Sequence, residues 1–126
     1  MTDVPIAGDS DAPATYVIVL RHVLVAQDIA MTIADYDPKA RIVVAANGAD
    51  ALARLEEVGR IAVAFVGKGP RAFQASPLAQ ALAGRSGRVV LMGEEAEAEG
   101  EAQGFAVLAR PFSTGNILVH LGSRTD

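Results

Sequence analysis

The sequence predicts an α/β domain: five parallel strands in one sheet, with helices over both faces. Two observations predict it. Five short runs of apolar, largely β-branched residues recur along the chain, which suits strands buried on both faces. Between them lie segments long enough for a helix, with apolar residues at helical spacing. Strands alternating with helical segments imply βαβ units and a parallel sheet. Crossovers of fixed, right-handed sense leave few strand orders, and 2-1-3-4-5 is the natural one for five units.

The elements follow in chain order. Tyr16-Val17-Ile18-Val19-Leu20 is the first strand. Val25, Ile29 and Ile33, with Ala26 and Ala30 beside them, give an amphipathic helix. It ends near Asp37, because Pro38 disfavours helix in the residue before it. Residues 41–46 form the second strand, punctuated by Asn47-Gly48. Leu52, Leu55 and Val58 mark a second helix that Gly59 stops. Residues 61–66 form the third strand, and Gly67-Lys68-Gly69-Pro70 is read as loop. Ser76-Pro77 starts a third helix, serine at the N-cap and proline at the first helical position. Leu78 and Leu82 carry its core stripe, and Gly84 closes it. Residues 89–92 are the fourth strand, 94–102 a weak acidic helix, and 105–109 the fifth strand. Ser113 caps a last helix carrying Ile117, Leu118 and Leu121. The sum is a flavodoxin-like three-layer sandwich.

At 126 residues, 51% of them apolar, the chain suffices for one domain that buries about two-thirds of its unfolded surface. Residues 1–14 hold Asp3, Asp9 and Asp11 with Pro5, Pro13 and Gly8 and no periodicity, so a mobile tail is expected. The domain proper is expected over 15–123, with 124–126 as a short end and no second domain after it. No apolar run approaches the ~20 residues of a membrane helix. The absence of cysteine excludes disulfides and thiolate metal sites and points to the cytoplasm. A net charge of −4 argues against a nucleic-acid partner.

Three local motifs carry a family resemblance. Ala46-Asn47-Gly48-Ala49-Asp50-Ala51-Leu52 opens the second helix, Pro70 follows the third strand, and Arg110-Pro111-Phe112 follows the fifth. In this order they are similar to the A-N-G-x-E-A-L, the proline after the acceptor aspartate and the K-P-F of bacterial response regulators. From Tyr16 to about Gly122 the chain therefore resembles a receiver domain. The resemblance implies a flavodoxin-like fold, a cis bond between Arg110 and Pro111, and a two-component signalling role. Receivers accept a phosphoryl group on an aspartate at the end of strand three. Two acids after strand one help that aspartate hold Mg²⁺, a hard cation that prefers oxygen ligands. A hydroxyl after strand four and a lysine after strand five bind the phosphoryl oxygens, so catalysis is mostly positioning and charge neutralisation.

Carried onto this sequence, the acceptor falls on Val66, with Gly67 beside it. The acidic pair falls on Arg21 and His22, or on Leu20 and Arg21 if the first helix sets the register. The hydroxyl falls on Gly93 and the aromatic switch on Val107. Only the basic position persists, as Arg110. Arg21 in place of a carboxylate repels Mg²⁺ by about 1–4 kcal/mol at ~4 Å. A degenerate receiver is therefore expected, with no metal, no cofactor and no enzymatic activity. It acts by phosphorylation-independent contacts with a protein partner, such as a histidine kinase or another receiver, and a homodimer is left open. The competing readings are a small ligand binder or enzyme on the same fold, and a receiver phosphorylated by displaced chemistry.

Four features are weighed against plainer explanations. Arg21 and Arg110 form either an anion pocket at the carboxyl edge of the sheet or two ordinary arginines, solvated or paired with Glu94 or Glu95. His22 has no second ligand at useful spacing and is read as a loop histidine. Gly67-Lys68-Gly69-Pro70-Arg71-Ala72 superficially matches a nucleotide loop, but it follows the wrong strand and Pro70 interrupts it. Glu94, Glu95, Glu97, Glu99 and Glu101 are read as a solvated face, with a docking surface as the sharper alternative.

Overall fold

The computed structural model describes residues 14–85, 88–110 and 112–122. Its strands are β1 (Thr15–Val19), β2 (Arg41–Ala45), β3 (Val63–Val66), β4 (Arg88–Leu91) and β5 (Ala106–Val107). Its helices are α1 (Val23–Tyr36), α2 (Gly48–Leu55), α3 (Pro70–Gln74), α4 (Pro77–Ala83), α5 (Glu94–Glu99) and α6 (Thr114–Gly122), with a 3₁₀ turn over Glu101–Gln103. The strands form one parallel sheet in the order β2-β1-β3-β4-β5. This is the flavodoxin-like arrangement expected from the sequence. Among the described residues no helix is long and apolar enough to cross a membrane.

The period-two geometry of the strands divides the core into two halves. Val17, Val19, Ala64, Val66 and Leu91 face α2, α3, α4 and α5, where Ala51, Leu55, Phe73, Leu78, Leu82 and Ala96 meet them. Tyr16, Ile18, Val63, Phe65 and Val90 face α1 and α6, where Ala26, Ile29, Ile33, Ile117 and Leu121 meet them. β1 and β3 are central and buried throughout, whereas β2 lies at an edge and exposes Val44. Each fully buried Ile, Val or Phe in these layers contributes about 1.5–3 kcal/mol by leaving water.

The A-N-G-x-D motif has a local physical role. Asn47 is the N-cap of α2, its Oδ1 accepting from the Asp50 N–H at 2.8 Å. Asp50 reaches back, its Oδ2 accepting from the Ala46 N–H at 3.3 Å and its Oδ1 from Arg54 at 3.1 Å. Helix-start donors without partners inside the helix are thus satisfied reciprocally, in the manner of a capping box.

Several boundaries differ from expectation. α2 ends at Leu55 instead of running to Gly59, because its closing carbonyls find another donor. The Arg85 guanidinium donates to Leu55 O at 2.9 Å, Val58 O at 3.0 Å and Ala81 O at 2.9 Å. Pro70 is not loop but the first residue of α3, where its fixed φ suits a helix start. Ile61 and Ala62 precede β3. β5 is reduced to Ala106–Val107; Phe105 gives its N–H to Gly100 O at 2.9 Å and packs edge to face on Phe73, ring centroids 5.7 Å apart. Leu118 faces outward, 37% exposed, whereas Ile117 and Leu121 are buried. The expected tail lies outside the described residues except for Ala14, as does the end over 124–126.

Candidate functional site

The carboxyl ends of the strands gather most of the residues singled out above. Leu20 extends β1 by one bond, its N–H donating to Ala45 O at 3.0 Å. Its side chain turns into the core beside Phe65 and Met92. A Cβ at position 67 would lie 2.7 Å from Leu20 Cδ2, so Gly67 passes where a larger residue would collide. Arg21 and His22 are exposed, and the His22 carbonyl accepts the first helical bond of α1, from Ala26. Val66 ends β3 fully buried, its carbonyl accepting from Lys68 at 3.0 Å and Met92 at 2.9 Å.

Gly93 precedes α5 with φ 112° and ψ 174°. Such a conformation is essentially reserved for glycine, so the backbone itself excludes a serine or threonine in this geometry. Val107 is half-buried and ends β5. Its Cγ2 fills the space a Cβ on Gly100 would need, which lets the two backbones approach closely.

Arg110 is engaged elsewhere. Its Nε donates to Glu97 Oε2 at 2.8 Å, its backbone N–H to the same oxygen at 3.0 Å, and an Nη to Oε1 at 3.4 Å. The Arg110 side-chain bond, followed by its backbone bond, holds the Glu97 carboxyl below its ordinary pKa. The same bond raises the Arg110 guanidinium further above its ordinary value. The acid that meets Arg110 is thus Glu97 rather than Glu94 or Glu95. Pro111, and with it the expected cis bond, lies outside the described residues.

The acidic run resolves into separate roles. Glu97 holds Arg110, and Glu99 lies 3.7 Å from Arg71. Gly69 runs so close beneath Glu95 that a Cβ there would sit 2.6 Å from the Glu95 Cβ.

Among the described residues Arg110 pairs with Glu97 and does not line the cavity beside Arg21. That cavity, of about 260 Å³, opens among Val19, Arg21, Asn47, Gly48, Gly67 and Lys68. Lys68, not Arg110, is the second cation there. In the sequence, the Gly67–Pro70 loop stands out for its glycines and not for Lys68. The available signal was its position two residues after the strand-three terminus, facing the Arg21 loop across parallel strands. A second, larger cavity of about 640 Å³ lies between α1 and α6, lined by Asp28, Met31, Asp35, Tyr36, Phe112 and Leu118. Met31 and Tyr36 are 66% and 41% exposed there.

No family model, curated protein or solved structure matches this chain.

Proposed function

We propose that the chain is a degenerate receiver that takes part in signalling through protein contacts, without accepting a phosphoryl group. One observation carries the reading. The positions that would hold Mg²⁺ and the phosphoryl group are filled by a core leucine (Leu20), an exposed cation (Arg21), a buried valine (Val66) and a glycine in a glycine-only conformation (Gly93). None offers a carboxylate or hydroxyl oxygen. The strand order is compatible with the same reading.

The contact face in this reading is the α1–α6 groove. Its exposed Met31, Tyr36 and Leu118 form an apolar floor, and exposed apolar groups rimmed by polar ones mark protein contacts. Asp28 and Asp35 line it with negative charge, so its occupant is a helix with an apolar ridge and basic flanks.

Incubation with acetyl phosphate and Mg²⁺, followed by intact-mass measurement, tests the proposal. No acid-labile phosphoryl adduct is expected. An adduct that chelation blocks overturns it in favour of displaced receiver chemistry. A small-ligand binder on the same fold is the second reading, favoured by the cavity beside Arg21 and Lys68.

A further inference from the structure

We propose that the cavity between the carboxyl ends of β1, β2 and β3 binds a small phosphate-type anion, held by Arg21 and Lys68 without a metal ion. The location is the first argument. From β1 the chain moves to β2 on one side and then returns to β3 on the other, so the crevice beyond β1 and β3 is a topological switch point. Open α/β sheets bind ligands at such points, outside the carboxyl ends of their strands. Arg21 follows β1 and Lys68 follows β3, one on each side of this crevice.

Charge is the second argument. Two cations line the cavity and no aspartate or glutamate does. Among the described residues neither Arg21 nor Lys68 has a carboxylate partner, although Arg54, Arg71 and Arg110 all do. The acid on the neighbouring helix, Asp50, is already held by Arg54 and the Ala46 N–H. Lys68 is half-buried as a residue, and its ammonium has no hydrogen-bond acceptor among the described residues. An anion seated between the two cations supplies that acceptor and relieves their mutual repulsion.

Donor geometry and size define the ligand class. Guanidinium and ammonium groups bring donors only. Asn47 uses its Oδ1 on the Asp50 N–H, which leaves its amide hydrogens to donate. Gly48 and Gly67 line the cavity without side chains, and nothing lies within 4 Å of a Cβ built on Gly48. At about 260 Å³ the space falls below the ~300 Å³ at which drug-sized pockets begin, so it suits a phosphate group rather than a nucleotide. Two positive charges and the Asn47 amide, on a wall completed by Val19, Ala46 and the two glycines, match a tetrahedral dianion better than a carboxylate.

The inference concerns reversible binding and stands whether or not the receiver reading holds. Its test is an amide ¹H–¹⁵N titration of the full chain in EDTA, with inorganic phosphate, glycerol phosphate, and sodium chloride at matched ionic strength. Saturable shifts are expected at Gly48, Gly67 and Lys68 with a Kd at or below about 1 mM. Tighter binding of glycerol phosphate assigns the site to phosphomonoesters; equal affinity assigns it to free phosphate. Lys68→Gln and Arg21→Gln should each weaken binding about tenfold or more, and Lys68→Arg should retain it. Spectra unchanged elsewhere establish that the variants fold. Linear shifts matched by chloride, or saturable shifts indifferent to both glutamine variants, overturn the inference.

Discussion

The two ends of the sheet use the same kind of side chain in opposite ways. At the amino end, Arg85 directs its guanidinium to three backbone carbonyls, those of Leu55, Val58 and Ala81. At the carboxyl end, Arg21 and Lys68 border a cavity with no carboxylate partner among the described residues. Arg110 lies between these extremes, bound to Glu97 through both side chain and backbone. A cation whose donors are spent on the chain's own backbone is part of the scaffold. One whose donors are unspent is available to a ligand. Residue type does not separate the two roles; the acceptors in reach do.

The sharpest way to break this contrast is to remove Arg85. Arg85→Ala leaves part-buried carbonyls without their charged donor, and a loss of about 2–3 kcal/mol is expected in urea unfolding. The same measurement on Lys68→Gln or Arg21→Gln should show changes within about 0.5 kcal/mol, as for sites without structural bonds. A loss of similar size in all three variants erases the distinction.

Backbone geometry at the carboxyl rim gives the next largest effect. Gly93→Ser and Gly93→Ala should each cost about 1–3 kcal/mol, because φ 112° is strained for any residue with a Cβ. Calorimetry that finds the serine variant stable but the alanine variant weakened would show that the hydroxyl, not the backbone, decides.

Arg110 gives the smallest effect, seen through pH. Glu97 has a lowered pKa in the folded chain, so the unfolded chain takes up this proton first as pH falls. The pair therefore supports folding at neutral pH and loses that support as pH drops through the carboxylate range. Arg110→Ala should flatten this limb of the urea midpoint measured from neutral to acidic pH. An unchanged limb would mean that Glu97 gains nothing from the arginine.

Much of the fold was legible because it depends on period and punctuation. The β-branched runs gave the central strands, and Pro38, Asn47 and Ser76-Pro77 marked helix ends and starts at or within a residue of where they lie. Where the reading erred, a long-range partner is present. Arg85 meets the end of α2 from 27 and 30 residues away, and Phe105, outside β5, packs on Phe73. The site was half legible. That Leu20, Arg21, Val66 and Gly93 carry neither carboxylate nor hydroxyl is plain from the sequence. The pairing of Arg110 with Glu97, and of Arg21 with Lys68 across the cavity, needed the third dimension. The motif around Asn47 is also a warning, since its capping role accounts for those residues whatever the family.

The sheet tapers along its width: β1 and β2 align five residue pairs, β4 and β5 only two. Backbone bonds in a short border ladder open together and at low cost. The amides of the final strand should therefore exchange with solvent sooner than those of β1 and β3.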